Sequence, residues 1–400
     1  MRLLFAHDHR FLRGPDGELF TVGSFPASVW RRYLRHFDSV HVIARDGGML
    51  PAGSDLAATS DPAVEIEFVP DLGSLRSLIR PPEAARRQIA AAVRAADAVV
   101  ARLPSEIGLR AVAEARATGK PYLVEVVGCA FDAYYSRGSA AARLYAPLAM
   151  WRTRRAVADA PLALYVTSSW LQERYPSSAE RIAASNVMIA PMTEAECAAR
   201  AARLKEIAQG RRPRLGTVAS LRTHSKGLQT AIPAIARLRR EGLELDYAIL
   251  GAGDQAPWRE LAERHGVADI VSFAGTRPSG LPVLNWLDGI DVHLQPSFQE
   301  GLPRATIEAM SRGVACIGST CGGIPELLPA ERAHRPGDVD GLVAAVRRLA
   351  SDPRAIEEAS RIDLVRSQDF DPGTLEARRD HIYGRLRALA EAGRPRKAAA

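Results

Sequence analysis

The stretch at residues 291–310, DVHLQPSFQEGLPRATIEAM, contains a predicted strand, a turn and the start of a helix. Residues 291–297 indicate a buried strand and its end, and Glu300 and Gly301 form the turn. Pro303 occupies the predicted first helical position, where proline is favoured because an amide hydrogen would have no partner there. A strand that passes directly into a helix is typical of the βαβ units of a parallel sheet.

Apolar runs of the same kind recur along the whole chain. The first half contains RLLFA (2–6), VHVIA (40–44), VEIEFV (64–69), AVVAR (98–102), YLVEVV (122–127) and LALYVT (162–167). The second half contains LGTVAS (215–220), DYAILG (246–251), IVSFAG (270–275), DVHLQPS (291–297) and VACIGS (314–319). Helical patterns separate most of these runs, so the sequence predicts an α/β fold with parallel sheets.

A charged, helix-prone stretch at residues 192–214 interrupts this alternation. Because 400 residues are too many for one hydrophobic core, the sequence predicts two similar domains joined by a hinge. The predicted parts are an N-terminal domain at 1–195, the hinge at 196–213, a C-terminal domain at 214–375 and a final helix with a basic tail at 376–400. The final helix is expected to pack on the N-terminal domain. Ligands of open α/β sheets bind at the carboxyl ends of the strands, which predicts a site in a cleft between the domains.

Composition restricts the class of protein further. Apolar residues make up 47% of the chain and charged residues 25%, as in ordinary globular proteins. No run approaches the roughly 18 apolar residues of a membrane span. The apolar run before His7 has about four residues, whereas a signal peptide needs roughly 7 to 15. We therefore expect a cytoplasmic protein.

The net charge of +7 is spread over both halves of the chain. Residues 1–190 contain 23 Lys and Arg against 19 Asp and Glu, so +4 lies there and +3 in the rest. A nucleic-acid-binding protein would concentrate its basic residues on one element, so no nucleic-acid partner is expected. An anionic small ligand or an anionic membrane surface fits the charge. Four cysteines without C-x-x-C spacing favour buried thiols and no metal site: Cys129, Cys197, Cys316 and Cys321.

Two glutamates, Glu300 and Glu308, lie eight positions apart around the predicted helix start. The free amides near Gly301 and Leu302 would point out of the helix N-terminus towards anionic or hydroxyl-rich groups. A ligand site and a structural corner both fit this spacing. In the structural alternative, Glu300 caps the helix dipole and Glu308 is a surface residue.

Further turns that follow strands carry glycines or cations. Arg222 and Lys226 precede a predicted helix, where cations are unfavourable unless an anion such as a diphosphate lies between them. The alternative is two solvated cations on a loop. The turn GAGDQ (251–255) lacks the third glycine of a dinucleotide fingerprint, which favours a more general nucleotide-binding loop. A second glycine turn, STCGGIPELL, lies at 319–328.

These motifs together resemble a known family. The run PSFQEGLPRATIEAMSRGVACIGSTCGGIPELL, with SLRTHSKG and ILGAGD upstream, is similar to the nucleotide-sugar half of the retaining glycosyltransferases of family 4. The most specific part is the E-x7-E pair followed by G-G-I-P-E, and the resemblance covers most of residues 215–330. It implies the GT-B fold, in which two Rossmann-like domains face a central cleft.

The resemblance also implies roles for individual residues. Glu300 would contact the hydroxyls of the donor sugar, and Glu308 would bind the ribose of the nucleotide. Lys226, and also Arg222, would hold the diphosphate and stabilise the leaving group without a metal or another cofactor. The remaining implied donor-binding residues are Gly23, Gly251, Gly253, Gly301, Leu302, Gly322 and Gly323.

The N-terminal half resembles the family less closely. Residues 17–45 look like the first glycine loop and helix. Residues 122–135 occupy the place where many relatives have a histidine near the reacting carbon, but this chain has no histidine there. Acceptor-side candidates are His7, His9 and Asp132, with structural or solvated histidines as the alternative.

The resemblance implies transfer of a sugar, with retention, from a nucleoside-diphosphate sugar to a glycan or lipid-linked acceptor in cell-surface polysaccharide assembly. The basic and apolar stretch at 144–166 would rest on an anionic membrane surface at the inner face of the membrane. Its alternative is a buried helix with a solvated arginine edge. Rival functions are a nucleotide-sugar epimerase of the same fold, an NAD-dependent dehydrogenase and a non-catalytic sugar-nucleotide-binding subunit.

Overall fold

The computed structural model describes residues 1–21, 25–51, 56–70, 72, 77, 82–136 and 139–393. The chain divides into two compact units. The first unit comprises Met1–Ala184 and Leu375–Ala400, and the second comprises Ser185–Thr374. Each unit contains a largely parallel sheet with helices between its strands. The predicted α/β fold class is therefore confirmed.

The described strands of the first unit form one sheet. They are β1 (Arg2–Arg13), β2 (Leu19–Thr21), β3 (Ser39–Met49), β4 (Ala57–Ala58), β5 (Val64–Phe68), β6 (Ala98–Leu103), β7 (Tyr122–Val126), β8 (Leu162–Tyr165) and β9 (Glu180–Ala183). The parallel strands lie in the order β5-β3-β1-β6-β7-β8-β9, and β2 and β4 add an antiparallel edge. In β1, residues 3–6 pair with strands on both sides and are fully buried, as expected at the centre of a parallel sheet.

Helices connect these strands. They are α1 (Ala27–Leu34), α2 (Glu83–Ala95), α3 (Glu106–Ala117), α4 (Ala130–Tyr135), α5 (Ala140–Ala158) and α6 (Trp170–Arg174). Two of them begin with a serine whose hydroxyl accepts a hydrogen bond from the first turn, Ser105 for α3 and Ser139 for α5. Such caps satisfy amides that would otherwise have no partner.

The second unit contains six parallel strands in its described part. They are β10 (Arg214–Val218), β11 (Asp246–Leu250), β12 (Val271–Phe273), β13 (Val292–Gln295), β14 (Ala315–Ser319) and β15 (Ala333–His334). Their order is β12-β11-β10-β13-β14-β15. This is the doubly wound order 3-2-1-4-5-6, in which the direction of winding reverses between β10 and β13. Ligands of such sheets bind at the carboxyl ends of the two strands that flank this switch point.

The helices of the second unit are α7 (Glu194–Ala208), α8 (Leu228–Arg240), α9 (Ala256–Arg264), α10 (Leu281–Leu287), α11 (Arg304–Ser311), α12 (Val339–Ala350) and α13 (Pro353–Ser367). Short 3₁₀ turns lie at His224–Lys226, Ile324–Glu326, Ala330–Arg332 and Gln368–Phe370. Apolar side chains of α8, α12 and the central strands form the core of this unit.

The predicted hinge at residues 196–213 differs from the structure. Most of it belongs to α7, which begins with a capping box between Thr193 and Glu196. The charged pattern was misleading because Arg200 is buried, and its guanidinium donates to the carbonyl oxygens of Arg312 at 2.9 Å and Ile290 at 2.7 Å. The division between the units therefore falls at Ser185, before this helix.

The final helix, α14 (Pro372–Ala392), belongs to the first unit from Leu375 onwards. Its Tyr383 hydroxyl donates to Glu125 Oε1 at 2.7 Å, and Tyr33 donates to the same oxygen at 2.9 Å. All three residues are buried. A carboxylate with these donors fixes the helix on the sheet, since breaking a buried hydrogen-bonded charge is costly.

Candidate active site

An ammonium group and a carboxylate meet at the carboxyl ends of β10 and β13. Lys226 Nζ donates a hydrogen bond to Glu300 Oε1 across 2.6 Å. The two residues are 74 positions apart in the chain, but they follow the two strands that flank the switch point of the sheet. The fold thus brings together two of the three residues predicted to be catalytic.

Two neutral side chains complete the surroundings of the Glu300 carboxylate. Ser297 Oγ donates to Oε1 at 2.7 Å, and Gln295 Nε2 donates to the same oxygen at 2.9 Å. The Glu300 side chain is only 8% exposed. Oε1 thus accepts three hydrogen bonds, one of them from a cation. The group is built to orient what it contacts.

Polar residues at alternate positions of β13 and the turn after it extend this hydrogen-bond network into the sheet. No role was predicted for them from the sequence. His293, Gln295 and Ser297 lie two positions apart and therefore share a face of the strand. His293 Nε2 lies 3.1 Å from Gln295 Oε1. Burial lowers the pKa of His293 to about 4, so the ring is neutral at pH 7. The available signal was three polar side chains in an otherwise apolar buried strand.

Gly227 explains how the loop of Lys226 approaches β13. It has a φ of 78°, and a Cβ atom there would lie 1.9 Å from the carbonyl oxygen of Pro296. Only glycine accepts both this backbone conformation and this contact. The Phe298 amide also donates to the Ser225 carbonyl oxygen at 2.8 Å. The backbones of the two turns are thereby joined, which fixes the position of Lys226.

Helix α11 begins one residue later than predicted. Pro303 has φ −72° and ψ 109°, so it is the N-cap residue, and Arg304 is the first helical residue. Pro303 itself provides no side-chain cap for this helix. The alternative in which Glu300 caps the helix dipole stays open. Amides at a helix N-terminus are a common binding site for anions.

Glu308 lies one turn further along α11 and is half-buried. Burial raises the pKa of its carboxyl group, and the nearby charge of Arg304 opposes this shift only in part. Within the described ranges, no hydrogen bond or ion pair of this carboxyl group is recorded. Glu308 is therefore not a fully solvated surface residue, and its carboxylate would gain from a ligand that donates hydrogen bonds.

The glycine turn after β14 supports the turn of Glu300. Gly322 has a φ of 59°, and a Cβ atom there would lie 2.4 Å from the carbonyl oxygen of Glu300. The Gly323 amide donates to the Gly301 carbonyl oxygen at 2.6 Å. Leu302, the residue that follows Gly301 in the chain, is buried. The two glycines thus position the Glu300 turn, and their direct contact with a donor stays a prediction.

The glycines after β11 play a similar part on the other side of β10. A Cβ atom at Gly251 would lie 1.6 Å from the carbonyl oxygen of Ala219. Gly253 has a φ of 132°, and a Cβ atom there would lie 2.9 Å from the Arg222 amide nitrogen. Their close packing explains why both are glycine. Their predicted place beside a nucleobase stays a prediction.

Arg222 lies on the same loop as Lys226 but is not part of the hydrogen-bonded cluster. Its side chain is exposed, and no hydrogen bond or ion pair is recorded for it in the portion of the chain that the structure describes. The turn that carries it is fixed by Trp258, whose indole nitrogen donates to the Leu221 carbonyl oxygen at 3.1 Å. Arg222 is thus an unpaired cation beside the Lys226 loop.

Residues 212–352 match the family model described as Glycosyl transferases group 1. This segment contains Lys226, Glu300, Glu308 and the glycine turns packed around them. The match identifies a group 1 glycosyl transferase domain within the second unit.

Two curated relatives extend the comparison. The chain is 29% identical to Protein CapJ of Staphylococcus aureus over 349 residues, which cover 87% of this chain and 86% of that protein. It is 38% identical to the putative colanic acid biosynthesis glycosyltransferase WcaL of Escherichia coli K12 over 139 residues. That second match covers 32% of this chain and 33% of the relative.

The fold is that of solved glycosyltransferases. The structure is similar to that of Anabaena HepE in complex with UDP-glucose, with a TM-score of 0.62 and 15% sequence identity. The match covers 98% of this chain and 100% of that one. At this level of identity, the likeness establishes the fold alone. The chain has the predicted GT-B fold.

In the first unit of the glycosyltransferase, His7 and His9 lie inside β1 and not after it. His7 Nδ1 is 3.2 Å from the Arg102 carbonyl oxygen, and His9 Nε2 is 2.7 Å from Thr21 Oγ1. Burial lowers the pKa of both rings, that of His9 to about 4. Both are therefore neutral at pH 7 and have protein partners. Their acceptor-side role stays a prediction.

Asp132 lies in α4. Among the described residues, it makes no hydrogen bond or ion pair with His7 or His9. Its carboxylate is 3.6 Å from the Arg174 guanidinium, whose Nε donates to Cys129 Sγ at 3.0 Å.

Of the four cysteines, Cys197 is exposed, so the prediction of buried thiols is wrong for this residue alone. Gly23, the predicted contact of the diphosphate, lies outside the described residues.

The basic and apolar stretch at 144–166 contains most of α5 and the strand β8. Three large apolar side chains on one helix face are exposed: Leu144 is 82%, Leu148 48% and Trp151 56% exposed. The alternative of a fully buried helix is therefore wrong. The expected solvated arginine edge is only partly right, because Arg152 is paired with the buried Glu106 at 2.9 Å, whereas Arg154 and Arg155 are exposed.

The described residues contain no group of three or more His, Cys, Asp or Glu side chains arranged to hold a metal ion. No described helix is both long enough and apolar enough to cross a membrane.

Proposed function

We propose that this glycosyltransferase moves a sugar from a nucleoside-diphosphate sugar to an acceptor hydroxyl, with retention of the anomeric configuration, in the assembly of a cell-surface polysaccharide. The observation that carries the proposal is the Lys226–Glu300 pair at the switch point of the second unit. The colanic acid role in the name of WcaL and the UDP-glucose bound to HepE support the acceptor and donor classes.

The leaving nucleoside diphosphate takes the bonding electrons of the anomeric carbon–oxygen bond and gains charge on its phosphate oxygens. Lys226 is placed to stabilise that charge, since its side chain is 29% exposed and lies at the ligand-binding edge of the sheet. The amides at the N-terminus of α11 and the exposed Arg222 provide further positive potential. In this proposal, these groups act in place of a divalent metal.

Glu300 orients the sugar in this proposal and does not act as a nucleophile. Its Oε1 already accepts hydrogen bonds from Lys226, Ser297 and Gln295, which hold the carboxylate in place. A hydrogen-bonded carboxylate in a fixed place is well suited to accept hydrogen bonds from sugar hydroxyls. The two glutamates are therefore not the acid and base of a hydrolase.

Glu308 would accept hydrogen bonds from the ribose hydroxyls. Its half-buried carboxyl group has a raised pKa, so donors that satisfy the ionised form would lower that pKa and bind tightly. Hydrogen bonds to a charged group contribute about 1.5–3 kcal/mol each. Loss of the charge should therefore weaken nucleotide binding by about tenfold or more.

The test of donor binding compares the wild type with Glu308→Gln, using UDP-, GDP- and ADP-sugars and NAD. We expect one nucleotide sugar to raise the melting temperature of the wild type, less so in Glu308→Gln, and NAD to have no effect. The matched control is Glu263→Gln, which changes an exposed glutamate on α9. Stabilisation by NAD alone would contradict the proposal and favour a dehydrogenase.

A second experiment separates transfer from the rival activities. The preferred donor is incubated with acceptor extract or with water alone, and the product is followed by NMR of its anomeric proton. Transfer with the donor's anomeric configuration supports the proposal. A changed sugar nucleotide without acceptor would identify an epimerase, inversion would contradict the retaining mechanism, and binding without turnover would identify a non-catalytic subunit.

We also propose that α5 rests on an anionic membrane that carries a lipid-linked acceptor. Leu144, Leu148 and Trp151 are spaced four and three positions apart and form one apolar stripe. The exposed Arg154 and Arg155 lie beside it, and the Arg155 guanidinium is 5.8 Å from the centre of the Trp151 ring. Exposed apolar groups beside arginines match the boundary between acyl chains and anionic headgroups.

The test measures sedimentation with vesicles that contain phosphatidylglycerol or phosphatidylcholine only. We expect the wild type to bind the anionic vesicles and Leu148→Ser/Trp151→Ser to lose most of that binding. Ile362→Ser/Val365→Ser is the matched control, because it removes two exposed apolar residues from α13. Equal losses in both variants, or no binding by the wild type, would contradict a role for this face.

A further inference from the structure

A pocket between α2 and α3 of the first unit is rich in arginine. Its volume is about 350 Å³. None of its residues belongs to the donor site of the second unit. Four guanidinium groups and two carboxylates contribute to its lining: Arg86, Arg87, Arg94, Arg110, Glu83 and Glu114.

The two carboxylates are already engaged by three of the arginines. Glu83 contacts Arg87 at 3.1 Å and Arg86 at 3.4 Å. Glu114 contacts Arg94 at 2.9 Å. Four positive charges against two negative charges leave the pocket with a surplus of +2. A cluster of like charges in a concave surface raises the local potential and attracts anions.

Arg110 is the unusual member of this cluster. It is half-buried, and its Nε atom is buried without a hydrogen-bond partner. For the residues whose placement is described, no hydrogen bond or ion pair is recorded for its guanidinium group. Burial lowers its pKa, the charge of Glu106 opposes this shift, and the charge of Arg152 adds to it. A buried donor without an acceptor is unfavourable, so the site would be more stable with an anion.

Glu106, whose charge acts on Arg110, has other partners. It is fully buried, and its carboxylate accepts hydrogen bonds from Tyr145 at 2.7 Å and from Arg152 at 2.9 Å. Among the described residues, no hydrogen bond or ion pair joins Glu106 to Arg110. An ordinary surface network of arginines and glutamates would pair each charge, whereas here the guanidinium group of Arg110 is left without a partner in a pocket that three other arginines also line.

We propose that this pocket binds a phosphate group. A phosphomonoester carries a charge of about −1.5 to −2 at pH 7, which matches the surplus of the pocket. The planar guanidinium groups of Arg110 and Arg86 present paired donors that fit phosphate oxygens. The volume admits a phosphate with a small organic group, since ligand pockets begin at roughly 300 Å³. The inference does not depend on the donor site.

The phosphate has two chemically plausible sources. It belongs either to a soluble phosphorylated compound or to a lipid headgroup. The second source is considered because the Arg152–Glu106 contact joins α3 to α5, the helix with the exposed apolar stripe. The same phosphate chemistry serves both, and the experiment has an arm for each.

The test titrates the wild type, Arg110→Gln and Arg86→Gln/Arg110→Gln with inorganic phosphate and glucose 6-phosphate by calorimetry at constant ionic strength. A parallel arm uses vesicles with and without phosphatidic acid. We expect saturable binding in one arm, at least tenfold weaker in Arg110→Gln and absent in the double variant. Arg116→Gln, on the same helix but paired with Asp159 at 2.6 Å, should bind as the wild type does.

Stability provides an independent readout. Because Arg110 is an unpaired, partly buried cation, Arg110→Met should melt at the same or a higher temperature than the wild type when no phosphate is present, and should lose the stabilisation by phosphate. A structural role would instead lower the melting temperature. Binding that is equal in all variants, or no saturable binding in either arm, would overturn the proposal.

Discussion

Six parallel strands of each unit follow the same order, but the two units differ at their switch points. In the second unit, the strands flanking this point lead to Lys226 and Glu300, a charged pair in which the lysine side chain is partly exposed. In the first unit, β1 and β6 flank the corresponding point, and the carboxylate of Asp8 accepts hydrogen bonds from the amides of Glu106 and Ile107. That carboxylate is occupied by its own protein. The same topology therefore supports a candidate reaction site in one unit and mainly structural contacts in the other.

The difference comes from the connecting loops. In the second unit, glycines allow backbones to approach more closely than any side chain permits, as at Gly227 against Pro296. In the first unit, β1 extends to Arg13, and its polar residues pair with neighbouring strands and helices. Strand order thus determines where a site can lie, whereas loop geometry determines whether charged groups are available there.

The largest effect is expected from the charged pair itself. Lys226→Ala should lower kcat by about 10²–10³-fold, because it removes a donor that stabilises the leaving group. Glu300→Gln should also lower kcat, because the donor sugar would lose the carboxylate that orients it. Steady-state kinetics with the preferred donor measure both. Lys205→Ala, an exposed lysine on α7, is the control, and a loss in the control equal to that in Lys226→Ala would remove the special role of Lys226.

The corresponding first-unit residues should matter less to the chemistry. His7→Gln and His9→Gln are expected to lower kcat by less than about tenfold, because rings that are neutral at pH 7 do not stabilise a developing negative charge as a cation does. The pH profile of kcat between pH 6 and 8 should not change in His9→Gln. A change in that profile would show that His9 titrates during the reaction and would reduce the contrast between the two units.

The role of loop geometry is tested by glycine substitutions. Gly227→Ala should destabilise the second unit by more than the roughly 1–2 kcal/mol that a left-handed backbone costs an L-residue, since its Cβ would overlap the Pro296 carbonyl. It should also reduce kcat by displacing Lys226. Gly242→Ala is the matched control, with a φ of 86° and no atom within 4 Å of an added Cβ. Urea unfolding should give the larger loss for Gly227→Ala, and equal losses would contradict the account.

The last prediction concerns folding stability and the buried histidine beneath the site. The pKa of His293 is about 4 in the folded protein and about 6.5 in an unfolded chain. The unfolded state therefore binds more protons below pH 6.5, so folding stability contributed by neutral His293 is present above that pH and is lost as the pH falls towards 4. At pH 5 the loss amounts to about 2 kcal/mol. His293→Gln should lessen the pH dependence of the unfolding free energy between pH 7 and 5, and an unchanged dependence would contradict this origin.

The sequence predicted the fold well because buried parallel strands are continuous apolar runs. All eleven runs quoted above overlap strands of the structure. Two features of the fold were missed because polar residues interrupt the apolar pattern. Strand β1 continues through His7 and His9. The charged helix α7 resembled a hinge because most of its side chains face solvent. The buried Arg200 is balanced by carbonyl oxygens that come from residues about 90 positions away or more, and no local pattern predicts such a contact.

At the candidate site, spacing and resemblance identified the charged residues of the hydrogen-bond network but not its neutral ones. Lys226 and Glu300 were predicted, whereas Gln295 and Ser297 were not, because their importance depends on the side chain that they contact. Arg222 was predicted to join Lys226, but it lies exposed on the same loop. Sequence patterns can place residues on a turn, but the direction of each side chain depends on tertiary contacts.

The most direct test of the central claim is a calorimetric titration of the wild type and Lys226→Met with UDP, GDP and ADP. Met keeps the length of the side chain and removes its charge. The account predicts saturable binding of one nucleoside diphosphate by the wild type and at least tenfold weaker binding by Lys226→Met. Equal affinities in the two proteins would contradict the claim that the switch point of the second unit holds the diphosphate.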